Sequence, residues 1–129
     1  MSATQPSTRQ VLEQMRASMG EVPPAIEKAA SADERMVAEQ ARSSAFAMPT
    51  EGGALDPETR TLVYLAVALA TSNHACTTAM VDRARKQGIA SAKLLEAFHI
   101  ARFALATLVV GNAEPVFDLV NEHAVSPMD

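Results

Sequence analysis

The chain has 129 residues, enough for one domain that buries a core without disulfides or a structural metal. Hydrophobic residues make up 48% of it but aromatic residues only 4%, with no tryptophan, so the core must come from Ala, Leu, Val and Met, which favours closely packed helices over sheets. The formal net charge is −4 and no lysine or arginine cluster offsets it, which argues against nucleic acid and anionic membrane as partners.

The first residues, Met1-Ser2-Ala3-Thr4-Gln5-Pro6-Ser7, lack the charged-then-apolar layout of a signal peptide. A first helix is expected over about 7–19, capped by Ser7 or Thr8 and ended by Gly20. Pro23-Pro24 breaks the chain and opens the next helical segment, because proline is tolerated in a first turn. Residues 32–47, with Met36, Val37 and Phe46, read as a surface helix of modest apolar character. Met48-Pro49 and Gly52-Gly53 then form a loop.

Asp56-Pro57-Glu58 is a strong helix start, with Asp56 as cap, Pro57 in the first position and Glu58 favoured by the helix dipole. The helix that follows, to about Thr71, is apolar on nearly every face. It is expected to be the central buried helix, or to face both a core and a subunit contact. Ser72 or Asn73 caps a helix that runs to Gln87 and stops at Gly88. Ala90-Ser91 opens a long helix through Val109, Gly111 interrupts it, and a last amphipathic helix covers 113–123. No segment alternates with a period of two. The expected fold is all-α, a single domain of about six helices. Its longest uncharged apolar runs, 62–70 and 103–111, fall far short of the roughly 20 residues of a membrane span.

The only cysteine, Cys76, opens the helix after Asn73. One cysteine makes no disulfide within a chain, and a reducing, cytoplasmic location is expected. With Asn73 as cap, Cys76 falls at the third helical position, where free backbone N–H groups and the positive dipole end favour the nucleophilic thiolate. The competing reading is a small buried apolar residue. His74 near the cap is a candidate base or proton shuttle, or a solvated side chain. His99 lies three residues after Glu96 and three before Arg102, so this polar stripe either lines a pocket or is a core histidine paired with a carboxylate. His123 needs no functional explanation. No metal set, glycine-rich phosphate loop or G-x-S-x-G elbow is present, and no cofactor is expected.

Leu55-Asp56-Pro57-Glu58-Thr59-Arg60, the apolar run 62–70, the capped cysteine, Gly88 and Leu94-Leu95-Glu96-Ala97 together resemble the carboxymuconolactone decarboxylase family, which includes the alkyl hydroperoxidase D-like proteins. The resemblance covers about 55–120. It implies an all-helical fold that assembles as a homo-oligomer, commonly a trimer or hexamer, with sites near subunit contacts. The redox-active branch carries Glu, eleven residues, then Cys-x-x-Cys-x-x-x-His. On this chain the second cysteine falls on Cys76, whereas the glutamate falls on Thr61, the first cysteine on Asn73 and the histidine on Met80.

A disulfide cycle within one subunit is therefore excluded. The resemblance leaves a one-cysteine hydroperoxide reductase, in which Cys76 becomes a sulfenic acid resolved by an external thiol and His74 or His99 handles the proton. Two alternatives stand beside it. One is a non-catalytic binding module of the same fold. The other is a thiol-independent decarboxylase-like enzyme, for which Glu96, His99 and Arg102 are the residues of interest.

Overall fold

Seven helices and no strand make up the described residues, 6–19 and 22–125, of this computed structural model. They are α1 (Thr8–Met19), α2 (Pro24–Ala32), α3 (Glu34–Ala47), α4 (Pro57–Ala70), α5 (His74–Gln87), α6 (Ser91–Asn112) and α7 (Glu114–Val125). Local chemistry accounts for most of the boundaries. Ser7 and Gln10 form a reciprocal cap: the Ser7 Oγ accepts from the Gln10 N–H at 3.2 Å, and Gln10 Oε1 accepts from the Ser7 N–H at 2.8 Å. Gly20, the expected stop of α1, lies outside the described residues.

Pro24 opens α2, as expected, and Asp33 separates it from α3. Asp33 is extended at φ −154° and caps α3 by accepting from the Arg35 N–H at 3.0 Å, so α3 begins at Glu34 rather than near 32. Asp56 caps α4 by accepting from the Thr59 N–H at 2.7 Å, with Pro57 in the first turn as expected. Gly88 closes α5 in the left-handed region at φ 66°, and the Ile89 N–H donates to the Ala84 carbonyl at 3.0 Å.

Gly111 does not interrupt the sixth helix. Helical glycine costs only about 1 kcal/mol relative to alanine, too little to break a long helix. The break falls at Ala113, because Pro115 has no N–H to donate to the Gly111 carbonyl.

Packing divides along the chain. α1 and α2 both lie against α3, around the buried Val11, Val22 and Val37, and Thr8 Oγ1 donates to Glu34 Oε1 at 3.1 Å. α4 is flanked by α5 and α6, and Lys93 of α6 bridges Glu58 of α4 at 2.7 Å, so these two helices start at the same end. The side chains buried between them are mostly small: Thr61, Ala68, Ala84, Ala97 and Ala101, with Leu65 and Met80.

The bulky apolar residues of α6 and α7 point outward. Phe103 is 73% exposed, and Leu108, Val109, Val116, Phe117 and Leu119 are also exposed, as are Val63 and Val67 on the free side of α4. The single chain exposes 9927 Å², against roughly 6600 Å² for a compact monomer of this size. Among the described residues, α6 alone is long and apolar enough to cross a membrane by length and composition. The measure by uncharged runs stops at Arg102 and so undercounts it. Arg102, exposed near the middle of this helix, would be costly in a bilayer.

The loop between α3 and α4 is fixed by Arg60, only 8% exposed. Its Nη1 donates to the carbonyl oxygens of Gly52 at 2.9 Å and Leu55 at 2.7 Å. Gly53 turns at φ +86°, and a Cβ there would lie 2.7 Å from that same nitrogen. Gly53→Ala is expected to destabilise the chain by about 1–2 kcal/mol from backbone strain alone, with the clash adding to it. Gly111→Ala, which meets no atom within 4 Å, is expected to stabilise the helix by about 0.5–1 kcal/mol. Urea denaturation of both variants checks the opposite signs.

Candidate functional site

The connection between α4 and α5 is tight, and Ser72 takes a left-handed φ of 56° within it. Asn73 follows as cap, its Oδ1 accepting from the Cys76 N–H at 3.1 Å. Cys76 is thus the third residue of α5 and a free, half-buried thiol. Its Sγ lies 3.0 Å from the hydroxyl of Tyr64, which reaches across from α4. Either atom can donate in the neutral pair, and with the thiol ionised the phenol is the donor.

The hydrogen bond to Cys76, then burial and the negative charge of the thiolate, push the Tyr64 hydroxyl above its ordinary value, with the positive charge of Arg83 pulling the other way. Tyr64 therefore keeps its proton at neutral pH and stands as a neutral donor beside the sulfur.

The three positions where the resemblance places other residues carry structural roles. Thr61 is fully buried, and its hydroxyl lies 3.1 Å from the Pro57 carbonyl and 2.8 Å from Gln87 Oε1, donating its one proton to either. Asn73 caps α5. Met80 is 5% exposed and packs in the core. His74 is the exposed first residue of α5, and His99 is exposed on α6 with its ring 5.3 Å from that of Phe98. Neither hydrogen-bonds the Cys76 thiol among the described residues. Glu96 and Arg102 are also exposed on α6, and they form no ion pair with each other. No group of three or more His, Cys, Asp or Glu capable of holding a metal occurs among the described residues.

Tyr64 was not singled out by the sequence. It lies one turn after Thr61 on the α4 stripe 61, 64, 68 that faces α5, and that spacing is the only signal that could have found it. Tyr64 is the only tyrosine and tryptophan is absent, so phenolate absorbance titrates this one group. Its midpoint is expected above the ordinary value of about 10 and should move down in Cys76→Ala. Because the folded chain holds this proton more tightly than the unfolded chain, the stability it contributes is full below about pH 10 and is lost as pH rises through the higher native value. Urea midpoints at about pH 9 and pH 11, compared between the native chain and Tyr64→Phe, check the sign.

The sequence matches the model of the carboxymuconolactone decarboxylase family over residues 35–118, well over half the chain, from the start of α3 into α7. No curated protein matches it significantly. The match extends the family-like region upstream of residue 55 to take in α3 and the loop that Arg60 fixes. Together with the all-helical architecture, it establishes that the chain belongs to the carboxymuconolactone decarboxylase family.

Proposed function

We propose that this chain is a one-cysteine thiol oxidoreductase that reduces a hydroperoxide at Cys76, with Tyr64 as the proton donor. The observation that carries this reading is the 3.0 Å contact between the half-buried Cys76 sulfur and the Tyr64 hydroxyl. The thiolate attacks the terminal peroxide oxygen. A sulfur–oxygen bond forms, the oxygen–oxygen bond breaks, and the departing alkoxide takes a proton from Tyr64, which solvent then replaces. The sulfur is oxidised to sulfenic acid and the peroxide is reduced to an alcohol. One external thiol condenses with the sulfenic acid, releasing water and leaving a mixed disulfide. A second external thiol frees Cys76 and leaves as the external disulfide. The need for that reductant fits a reducing, cytoplasmic setting.

The same proposal includes a homo-oligomer. The outward Phe103, Leu108, Val109, Phe117 and Leu119 form an apolar surface larger than a soluble monomer ordinarily exposes, and further copies of the chain would cover it. A second reading, a binding module of the same fold, is favoured by the structural roles that Thr61, Asn73 and Met80 have at the family's catalytic positions.

Brief hydroperoxide treatment followed by dimedone is expected to label Cys76, as read by mass spectrometry, and Cys76→Ser should carry no label. Tyr64→Phe should slow label formation by about 10- to 100-fold without abolishing it. A native thiol that resists both oxidation and alkylation would leave the binding module as the better reading. Native mass spectrometry should give a trimer or hexamer, and Phe103→Glu should shift it toward smaller species. A wild-type monomer at micromolar concentration would overturn the assembly.

A further inference from the structure

A cavity of about 320 Å³ lies where the α3–α4 loop folds over the first turn of α4 and the last turns of α5, at the opposite end of this helix pair from the Asn73 turn. Its polar wall is Thr50, Arg60, Thr61, Arg83 and Gln87, and no acidic side chain lines it. Met48, Pro49 and Pro57 supply an apolar wall.

Both arginines lack a carboxylate partner. The Nη1 of Arg60 is used up on the Gly52 and Leu55 carbonyls, while its Nε and Nη2 have no acceptor among the described residues. Arg60 is only 8% exposed, but no partnerless side-chain nitrogen is fully buried among the described residues, so this free edge of the guanidinium is open to solvent and to a ligand. Asp56 feels the charge of Arg60 but forms no ion pair with it, and accepts instead from the Thr59 N–H. Glu58 is bridged to Lys93. Arg83 is half-buried and likewise has no ion pair among the described residues, because its neighbour Asp82 is taken by Arg85 and Lys86. In a chain of net charge −4, two unpaired arginines facing one cavity free of acids stand out.

We propose that this cavity is a binding site for a small organic carboxylate, held by the Nε–Nη2 edge of Arg60 and by Arg83. That edge is the planar fork that receives a carboxylate with two parallel hydrogen bonds. The same fork is filled elsewhere in this chain, where Arg35 Nε and Nη2 lie 3.0 and 2.9 Å from the two Asp33 oxygens. The apolar wall distinguishes an organic acid with a hydrophobic body from a bare inorganic anion, and the volume lies within the range of small-molecule pockets. Neither Cys76 nor Tyr64 lines the site, although the charge of Arg83 also reaches the Tyr64 hydroxyl.

Titration calorimetry of the full chain with benzoate, its neutral isostere benzamide and inorganic phosphate tests the assignment. Benzoate is expected to bind, with benzamide and phosphate each at least about tenfold weaker. Arg83→Gln should weaken benzoate by about tenfold or more, and Arg83→Lys should recover part of the loss. Arg83 has no hydrogen bond or ion pair among the described residues, so these variants are expected to fold, which a thermal melt checks. Absence of benzoate binding at millimolar concentration overturns the proposal. So does equal binding of benzamide or phosphate, or an unchanged affinity in folded Arg83→Gln.

Discussion

The close approach of α4 to α5 and α6 is the constraint on which the rest of the structure rests. Thr61, Ala68, Ala84, Ala97 and Ala101 are most of the side chains buried at these contacts, beside Leu65 and Met80, and small residues let helix backbones come near one another. That choice determines where everything else goes. With the inner seam filled by alanines, the leucines, valines and phenylalanines of α6 and α7 are left on the outside. The apolar content of this chain is thus divided between a narrow seam within the subunit and a broad face outside it. The same closeness lets a single phenol on α4 reach a thiol on α5 at 3.0 Å.

Helix boundaries were the most legible part of the sequence, because each depends on two or three adjacent residues. Asp56-Pro57, Asn73 before Cys76, and Gly88 all act in the structure as their chemistry requires. Gly111 misled because glycine is a weak helix breaker, while Pro115 four residues later removes a hydrogen bond outright. Pro23-Pro24 marked the start of α2, whereas the start of α3 was read near 32 because Asp33 both ends one helix and caps the next. Periodicity located the apolar stripe of α6 but not its partner, since a helix can bury its alanines and expose its leucines without any change in spacing.

The candidate site was legible in its backbone and not in its side chains. Placing Cys76 at the third position of a capped helix needs only the local sequence. The tyrosine beside it comes from another helix, and long-range pairing of that kind leaves no trace in the local pattern. The two arginines of the cavity were hidden for a related reason. Arg60 belongs to the Leu55–Arg60 segment that carried the family resemblance, yet its task depends on where Gly52 and Leu55 turn their carbonyl oxygens. Histidines attracted interest from the sequence because they titrate near neutrality. In the fold, the group beside the sulfur is instead a phenol that holds its proton more firmly.

The roles of Thr61, Asn73 and Met80 also bear on how this chain relates to the redox-active pattern it resembles. Each of the three residues does something that the pattern's own residue would do badly. A glutamate at 61 would place a carboxylate at a position with no solvent exposure, opposite the side-chain oxygen of Gln87. A cysteine at 73 would give up the Asn73 cap, which in helices is worth about 1 kcal/mol. A histidine at 80 would set an imidazole among the core contacts of a methionine. Each step toward the dithiol pattern is therefore uphill in stability before any catalytic gain appears, since the disulfide chemistry needs all four positions at once. A chain carrying only one or two of these changes would thus lose stability and gain no disulfide cycle.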